Sequence, residues 1–393
     1  MMMFGGKSAC VGPAQTQVQL GVGSHKNLKG AVENFLTSPD QRILFLCDRA
    51  LVSTDFFKSV EGILKDTGHP FDLFSEIDAE PTDTIVGKVH EQCKKNKPSL
   101  ILAVGGGSSI DIGKAVGILI VHGGVVHDYE GPNRYKSPRL PLIAIPTTAG
   151  TGSEVTGSCI ITNTRTEVKM SITHSLYNPA NVAILDPLAL VTLPAMPAAG
   201  AGMDAFTHAM ESYINLNANY VTDAYDLEAM ALISKSLRPF VANRANLDAG
   251  LKMLCASCLA GLGFTNTGVG NVHGMSRFVG TFFHVAHGIA NAVCLPVVAE
   301  FNLLASPEKF ARVAAVMGEN IAGLTAIEAG RKAVDAIRRL NADLGIPSRL
   351  RDLGVKESRI PEMADLCFKA NYNTRNPRYT TVNDFVSLYQ QAF

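Results

Sequence analysis

Two stretches of this chain concentrate residues that can hold a metal ion. In MDAFTHAMESY, Asp204 and His208 stand four residues apart, on one face of a predicted helix, and Glu211 follows three residues later. In VHGMSRFVGTFFHVAHG (272–288), His273, His284 and His287 share an otherwise apolar run with Arg277. Histidine is only occasionally buried, and arginine rarely without a partner. Each residue taken singly has a plain explanation: an acid–histidine pair on a helix surface, or a core polar group satisfied by its neighbours. Together, Asp204, His208, His273 and His287 would make a four-ligand site for a divalent ion, with room for a substrate oxygen. Spacing alone leaves both explanations open. His273 and His287 are 14 residues apart, roughly 21 Å along a straight helix. To share an ion the chain must fold back between them, and Gly280 is the expected place.

Two further stretches suit a nucleotide. LAVGGGSSIDIGKA follows a strand-like run and opens a helical one. Gly105, Gly106 and Gly107 would let the backbone approach a ligand, and Ser108 reads as the N-cap of a helix whose free N–H groups suit a diphosphate. A tight structural turn also explains three glycines. The loop is not a phosphate-binding loop of the Walker type, since five residues separate Gly107 from Gly113 and Ala115 stands where Ser or Thr is needed. Nor is it the dinucleotide GxGxxG fingerprint, because the acid, Asp48, ends an earlier run. IPTTAGTGSE (145–154) adds hydroxyls at Thr147, Thr148, Thr151 and Ser153. Polar, glycine-bearing loops at strand ends are where open α/β sheets bind ligands.

The elements that must position these residues fall into two halves. RILFLCD (42–48), SLILAVGGG (99–107), LPLIAIPTT (140–148) and NVAILD (181–186) are short apolar runs bounded by Gly, Pro or Asp, and read as buried parallel strands. Helical patterns such as 83–96 lie between them, which predicts an α/β layer. SCIITNTRTEVKMSIT (158–173) reads as a hairpin inserted before the last strand. Beyond about residue 195 the pattern is helical throughout. The boundary falls in DPLALVTLPAMP (186–197), giving an α/β domain over 1–190 and an all-α domain over 191–393.

Composition sets outer bounds. With 393 residues, 47% apolar and 18% charged, the chain has ample material for a core. Lys plus Arg equals Asp plus Glu, 35 each, so no overall field recruits nucleic acid or acidic lipid. The amino terminus, MMMFGGKSAC, does not read as a signal peptide, and no membrane association is expected. Eight cysteines in such a length are not a disulfide framework. Cys255 and Cys258 form an isolated CxxC in a helical run and read as small buried apolar residues. A reducing cytoplasm fits.

The motifs in combination resemble the iron-dependent (group III) alcohol dehydrogenases. The resemblance runs nearly end to end and rests on GGGSSID, PTTAGTGSEVT, GMDAFTHAMESY and VHGM…HGIANAVCLP. It implies an N-terminal Rossmann-like domain that binds NAD and a helical C-terminal domain that holds the metal. The implied ligands are Asp204, His208, His273 and His287, for Fe²⁺ with Zn²⁺ as the other candidate. The implied cofactor contacts are Gly105, Gly106, Gly107, Ser108 and Asp111 in the first loop, and Thr147, Thr148 and Ser153 in the second. Asp48 falls where an acid holds the adenine ribose, which favours NAD over NADP because a 2′-phosphate would be repelled. Lys169 falls near the site.

One position departs from the family pattern. Where the family often has a further histidine four residues after the third ligand, this chain has Arg277. Arginine is a poor proton shuttle but a good bidentate clamp for carboxylate, phosphonate or sulfonate. His284 is the candidate to take over proton relay. The expected activity is hydride transfer between NAD(H) and a primary alcohol or aldehyde, with an anionic tail on the substrate in view of Arg277, in a homodimer or larger homo-oligomer. Rival readings are a hydroxyacid–oxoacid transhydrogenase, a zinc glycerol dehydrogenase-like enzyme, a dehydroquinate synthase-like lyase and a non-catalytic nucleotide-binding protein.

Overall fold

From its first described residues the chain alternates strand and helix: β1 (Gln17–Leu20), α1 (Leu28–Glu33), β2 (Ile43–Asp48), α2 (Asp55–Asp66), β3 (Phe71–Ile77), α3 (Asp83–Lys95), β4 (Leu100–Gly105) and α4 (Gly107–His122). The structure is a computed structural model that describes residues 16–77 and 80–393. Five more strands follow: β5 (Gly131–Pro132), β6 (Leu142–Pro146), β7 (Ser158–Asn163), β8 (Val168–Thr173) and β9 (Val182–Leu185). Six of the nine form one parallel sheet in the order β1-β9-β6-β4-β2-β3.

The four inner runs, ILFLCD, LILAVG, LIAIP and VAIL, are apolar along nearly their whole length because helices cover both faces. The strands not anticipated, β1 and β3, lie at the two edges. Their QVQL and FDLFSEI mix polar and apolar residues and are partly exposed. The expected hairpin is present. β7 pairs antiparallel with β8, with Ser158 opposite Thr173, and β5 joins them in a small second sheet.

After Leu185 no strand occurs among the described residues. The helices are α5 (Ala195–Ile214), α6 (Tyr220–Ala242), α7 (Leu247–Thr267), α8 (Asn271–Phe283), α9 (His287–Leu303), α10 (Pro307–Val316), α11 (Ala326–Asp343), α12 (Ile360–Lys369) and α13 (Val382–Ala392). α7 is long and apolar enough by composition to cross a membrane, but it packs against α5 and α6 as a core helix. Cys258 lies in that core, and burial raises both it and Cys255 above ordinary thiol values. These are small packed residues, not a reactive pair.

Three features place the residues of interest. The carboxyl ends of β2, β4 and β6 align, with Gly105 beside Pro146, so Asp48, the glycine loop and Thr147 share one sheet edge. At the entry to α9 the backbone passes very close to α5. A Cβ on Gly288 would lie 2.2 Å from the Gly200 carbonyl oxygen, so only glycine allows this approach. The reversal between His273 and His287 is not at Gly280. α8 runs on through Gly280 to Phe283, and His284 turns the chain in the left-handed conformation at φ 54°. An interior glycine costs a helix about 1 kcal/mol, too little to end one that packs on both α9 and α12.

Candidate active site

Asp204 and His208 lie one turn apart on the buried face of α5, His273 opens α8 and His287 opens α9. Their ligand atoms converge. From Asp204 Oδ1 it is 3.9 Å to His208 Nε2, 3.6 Å to His273 Nε2 and 3.8 Å to His287 Nε2. A divalent ion about 2.0–2.2 Å from four such atoms in a tetrahedron would space them by about 3.4 Å. The three distances from Asp204 Oδ1 are within about 0.5 Å of that spacing, although His287 is not in the set of ligand atoms that all lie close to one another. Asp204, His208 and His273 form its buried core, with ligand atoms all within 4.8 Å of one another. His287 stands on the open side, its side chain 40% exposed.

The rings are held from behind. Phe264 stacks on His208 at 4.2 Å, and His208 stacks on His273 at 4.5 Å between centroids. His273 Nδ1 lies 2.6 Å from Glu211 Oε2. The same carboxylate accepts the backbone N–H groups of Gly270 and Val272 at the start of α8. Glu211 therefore fixes the ring so that Nε2 faces the cluster, as carboxylates behind metal-bound histidines do. The sequence placed Glu211 on this helix face without giving it that role; the recurrence 204, 208, 211 was the signal. Asn291 was not anticipated at all, although it lies one turn beyond His287.

The electrostatics suit a cation. Burial pushes the Asp204 carboxyl up, but the three imidazoles together hold it well below the usual range. Burial lowers His208, helped by neighbouring His273 and opposed by Asp204. His273 goes the other way: burial opposes its charged form, yet hydrogen bonds to Asp204 and Glu211 raise it.

Arg277 is one helical turn after His273 and half-buried. Its Nη2 donates to the Lys169 carbonyl at 3.0 Å, and Nη1 reaches Tyr372 Oη at 3.4 Å. No carboxylate among the described residues pairs with it. Lys169, on β8, has its ammonium 3.8 Å from Glu80 at the surface. His284 is exposed at the end of α8 and makes no side-chain hydrogen bond among the described residues.

The nucleotide residues divide. Asp48, Thr147 and Thr148 line one cleft with Thr192 and Pro194 at the junction of the two halves. Asp48 Oδ2 accepts the Gly106 N–H at 2.9 Å, and Oδ1 accepts the Ser109 hydroxyl. A Cβ on Gly105 would stand 2.5 Å from Asp48 Oδ1, so this glycine is needed for the close packing. The N-cap of α4 is Gly106 rather than Ser108, which lies within the first turn. No side chain caps this helix start, and the Gly106 N–H is taken by Asp48. Asp111 and Ser153 turn toward each other: Ser153 Oγ donates to Asp111 Oδ1 at 2.5 Å, and fully buried Lys114 joins them. This knot ties the second loop to α4.

Known proteins share this architecture. Residues 15–187 match the family model described as iron-containing alcohol dehydrogenase, and residues 198–393 match that of the Fe-containing alcohol dehydrogenase family, C-terminal. The chain belongs to the iron-containing alcohol dehydrogenase family. Among its relatives in that family, 1,3-propanediol dehydrogenase of Klebsiella pneumoniae is 44% identical over 84% of this chain and 85% of its own length. NAD-dependent methanol dehydrogenase of Bacillus methanolicus is 38% identical over 93% and 96%. Sulfoacetaldehyde reductase of Bilophila wadsworthia is 34% identical over 94% and 93%. A crystal structure of a 1,3-propanediol oxidoreductase superposes with a TM-score of 0.93 at 39% identity, covering 98% of this chain and 99% of that one.

Proposed function

We propose that this member of the family is an NAD-dependent, metal-dependent alcohol dehydrogenase and aldehyde reductase. The observation that carries the reading is the convergence of one carboxylate and three imidazoles in the helical half, where α5 packs at Ala201 against Gly150 of the second strand-end loop. The proposed division is a nucleotide domain over 1–190 and a metal domain over 191–393. Asp204, His208, His273 and His287 are the proposed ligands, for Fe²⁺ with Zn²⁺ the other candidate. Gly105–Ser108 face the diphosphate, Thr147 and Thr148 the nicotinamide side, and Asp48 the adenine ribose; Asp111 and Ser153 support these loops from beneath. When bound, the metal supplies Lewis-acid polarisation of the substrate oxygen and NAD the hydride chemistry.

The chain's own residues do the rest. Glu211 orients His273. Arg277, with N–H groups to spare beyond Lys169 and Tyr372 and no acidic partner, receives an anionic tail on the substrate. Lys169 adds a second positive charge at the same mouth. That a relative is a sulfoacetaldehyde reductase is consistent with an anionic substrate. His284, exposed three residues before His287, passes the proton to water. The free thiols of the described cysteines fit a reducing, cytoplasmic setting. For assembly, β1 leaves one edge unpaired among the described residues, with Val18 and Leu20 respectively 40% and 48% exposed. Antiparallel pairing of two such edges gives a symmetric dimer; light scattering should read a dimer for the wild type and a monomer for Leu20→Lys, and a wild-type monomer refutes it.

The test of function is NADH consumption across a panel of neutral and acidic aldehydes, with metal analysis of the same sample. Metal-dependent turnover is expected. A metal-free protein that binds NAD and turns over nothing would leave only nucleotide binding.

A further inference from the structure

One side chain in the cluster has no assigned role. Asn291 is fully buried, and lies one turn beyond His287 on the same face of α9. Its Nδ2 donates to Asp204 Oδ1 at 2.7 Å and lies 3.2 Å from both His273 Nε2 and His287 Nε2. One carboxamide nitrogen thus touches three of the four proposed ligand atoms. Its Oδ1 has no hydrogen-bond partner among the described residues. A buried amide with an unpartnered oxygen is unfavourable unless its other end compensates.

We propose that Asn291 is a positioning residue for the metal centre, resting on the ligand assignment above. The carboxylate oxygen that faces the three imidazoles is the one Asn291 holds. That oxygen has two lone pairs in the carboxylate plane. Nδ2 takes one of them from the side of the His273 and His287 nitrogens, 3.2 Å from each, and the carboxylate can no longer rotate to present both oxygens to the ion. A neutral donor suits this place. Lysine or arginine would compete with the cation, and a second carboxylate would repel Asp204. The proximity of Nδ2 to His273 and His287 also fills the space between α8 and α9, so the two helix starts keep their spacing before an ion arrives.

The experiment uses the full-length protein loaded with Co²⁺, with Asn291→Leu, which keeps the branched shape, and Asn291→Ala. Metal dissociation is followed against a chelator, the visible d–d band of Co²⁺ is recorded, and the melting midpoint of each metal-free protein is measured. The expected result is a 10- to 100-fold loss of metal affinity in both variants, the range for lost partners of metal ligands. A shifted d–d band and a metal-free midpoint for Asn291→Leu close to that of the wild type are also expected. Affinity within twofold of wild type and an unchanged band in either folded variant would overturn the proposal. So would equal losses of stability with and without metal, which mark a packing role. A wild-type protein that takes up no Co²⁺ would instead strike at the ligand assignment itself.

Discussion

Replacing Arg277 by glutamine should cost this enzyme its preference for acidic aldehydes. The guanidinium has five N–H donors, and the structure commits one to the Lys169 carbonyl and one, at longer range, to Tyr372. The remaining donors, on a half-buried group without an acidic partner, can take an anion. A charge-assisted hydrogen bond contributes about 1.5–3 kcal/mol. That corresponds to roughly 10- to 150-fold in kcat/KM, at 1.36 kcal/mol per decade. Glutamine keeps a donor for the Lys169 carbonyl and loses the charge and the fork. The assay compares kcat/KM for succinate semialdehyde with that for a neutral aldehyde of the same length, in wild type and variant. Wild type should favour the acid, and the variant should lose that factor from the ratio while its rate on the neutral aldehyde changes little. Equal treatment of both aldehydes by wild type would refute the clamp. Arg277 would then serve only to tie β8 to α8, and a neutral alcohol would be the substrate.

Two further perturbations concern carboxylates. Asp48→Ser should raise the NADP/NAD ratio of kcat/KM by tenfold or more, since a phosphate beside that carboxylate costs about 1–4 kcal/mol; both absolute values should fall, because Asp48 also holds Gly106 and Ser109, and an unchanged ratio in steady-state kinetics excludes the ribose contact. Asp226 is fully buried in the helical core, and burial raises its carboxyl well above the usual range. A carboxyl with a raised folded pKa binds its proton more tightly when folded, so the stability it allows is present below about pH 4 and is lost as pH rises from there toward the folded value. Asp226→Asn should therefore gain about 1–3 kcal/mol over wild type near neutral pH and progressively less toward pH 4; melting midpoints that differ by the same amount at pH 5 and pH 8 would contradict this.

What could be read from the sequence follows from where each residue's constraint lies. β2, β4, β6 and β9 are buried on both faces, so nearly every position must be apolar and the runs stand out. β1 and β3 lie at the edges, where polar residues meet water and blur the pattern. Asp204 and His208 were legible because their spacing is local. The convergence of His273 with His287 depends on a turn at His284, where a non-glycine residue takes the left-handed conformation without a sequence signature. Asn291 was illegible for a different reason. An asparagine in an apolar helix says only that it has a partner, and the partner, Asp204, is 87 residues away. Arg277 was singled out as costly without a partner, and the structure supplies two neutral acceptors that a search for opposite charges could not find.

The central claim is that Asp204, His208, His273 and His287 share one ion. The direct measurement is metal content by mass spectrometry in wild type, His273→Ala and His287→Ala, each purified and loaded alike, with NAD binding measured calorimetrically on the same samples. Stoichiometric metal is expected in wild type and little in either variant, while NAD affinity stays near the wild-type value because the nucleotide loops belong to the other half of the chain. Full metal occupancy in either folded variant would contradict the shared site.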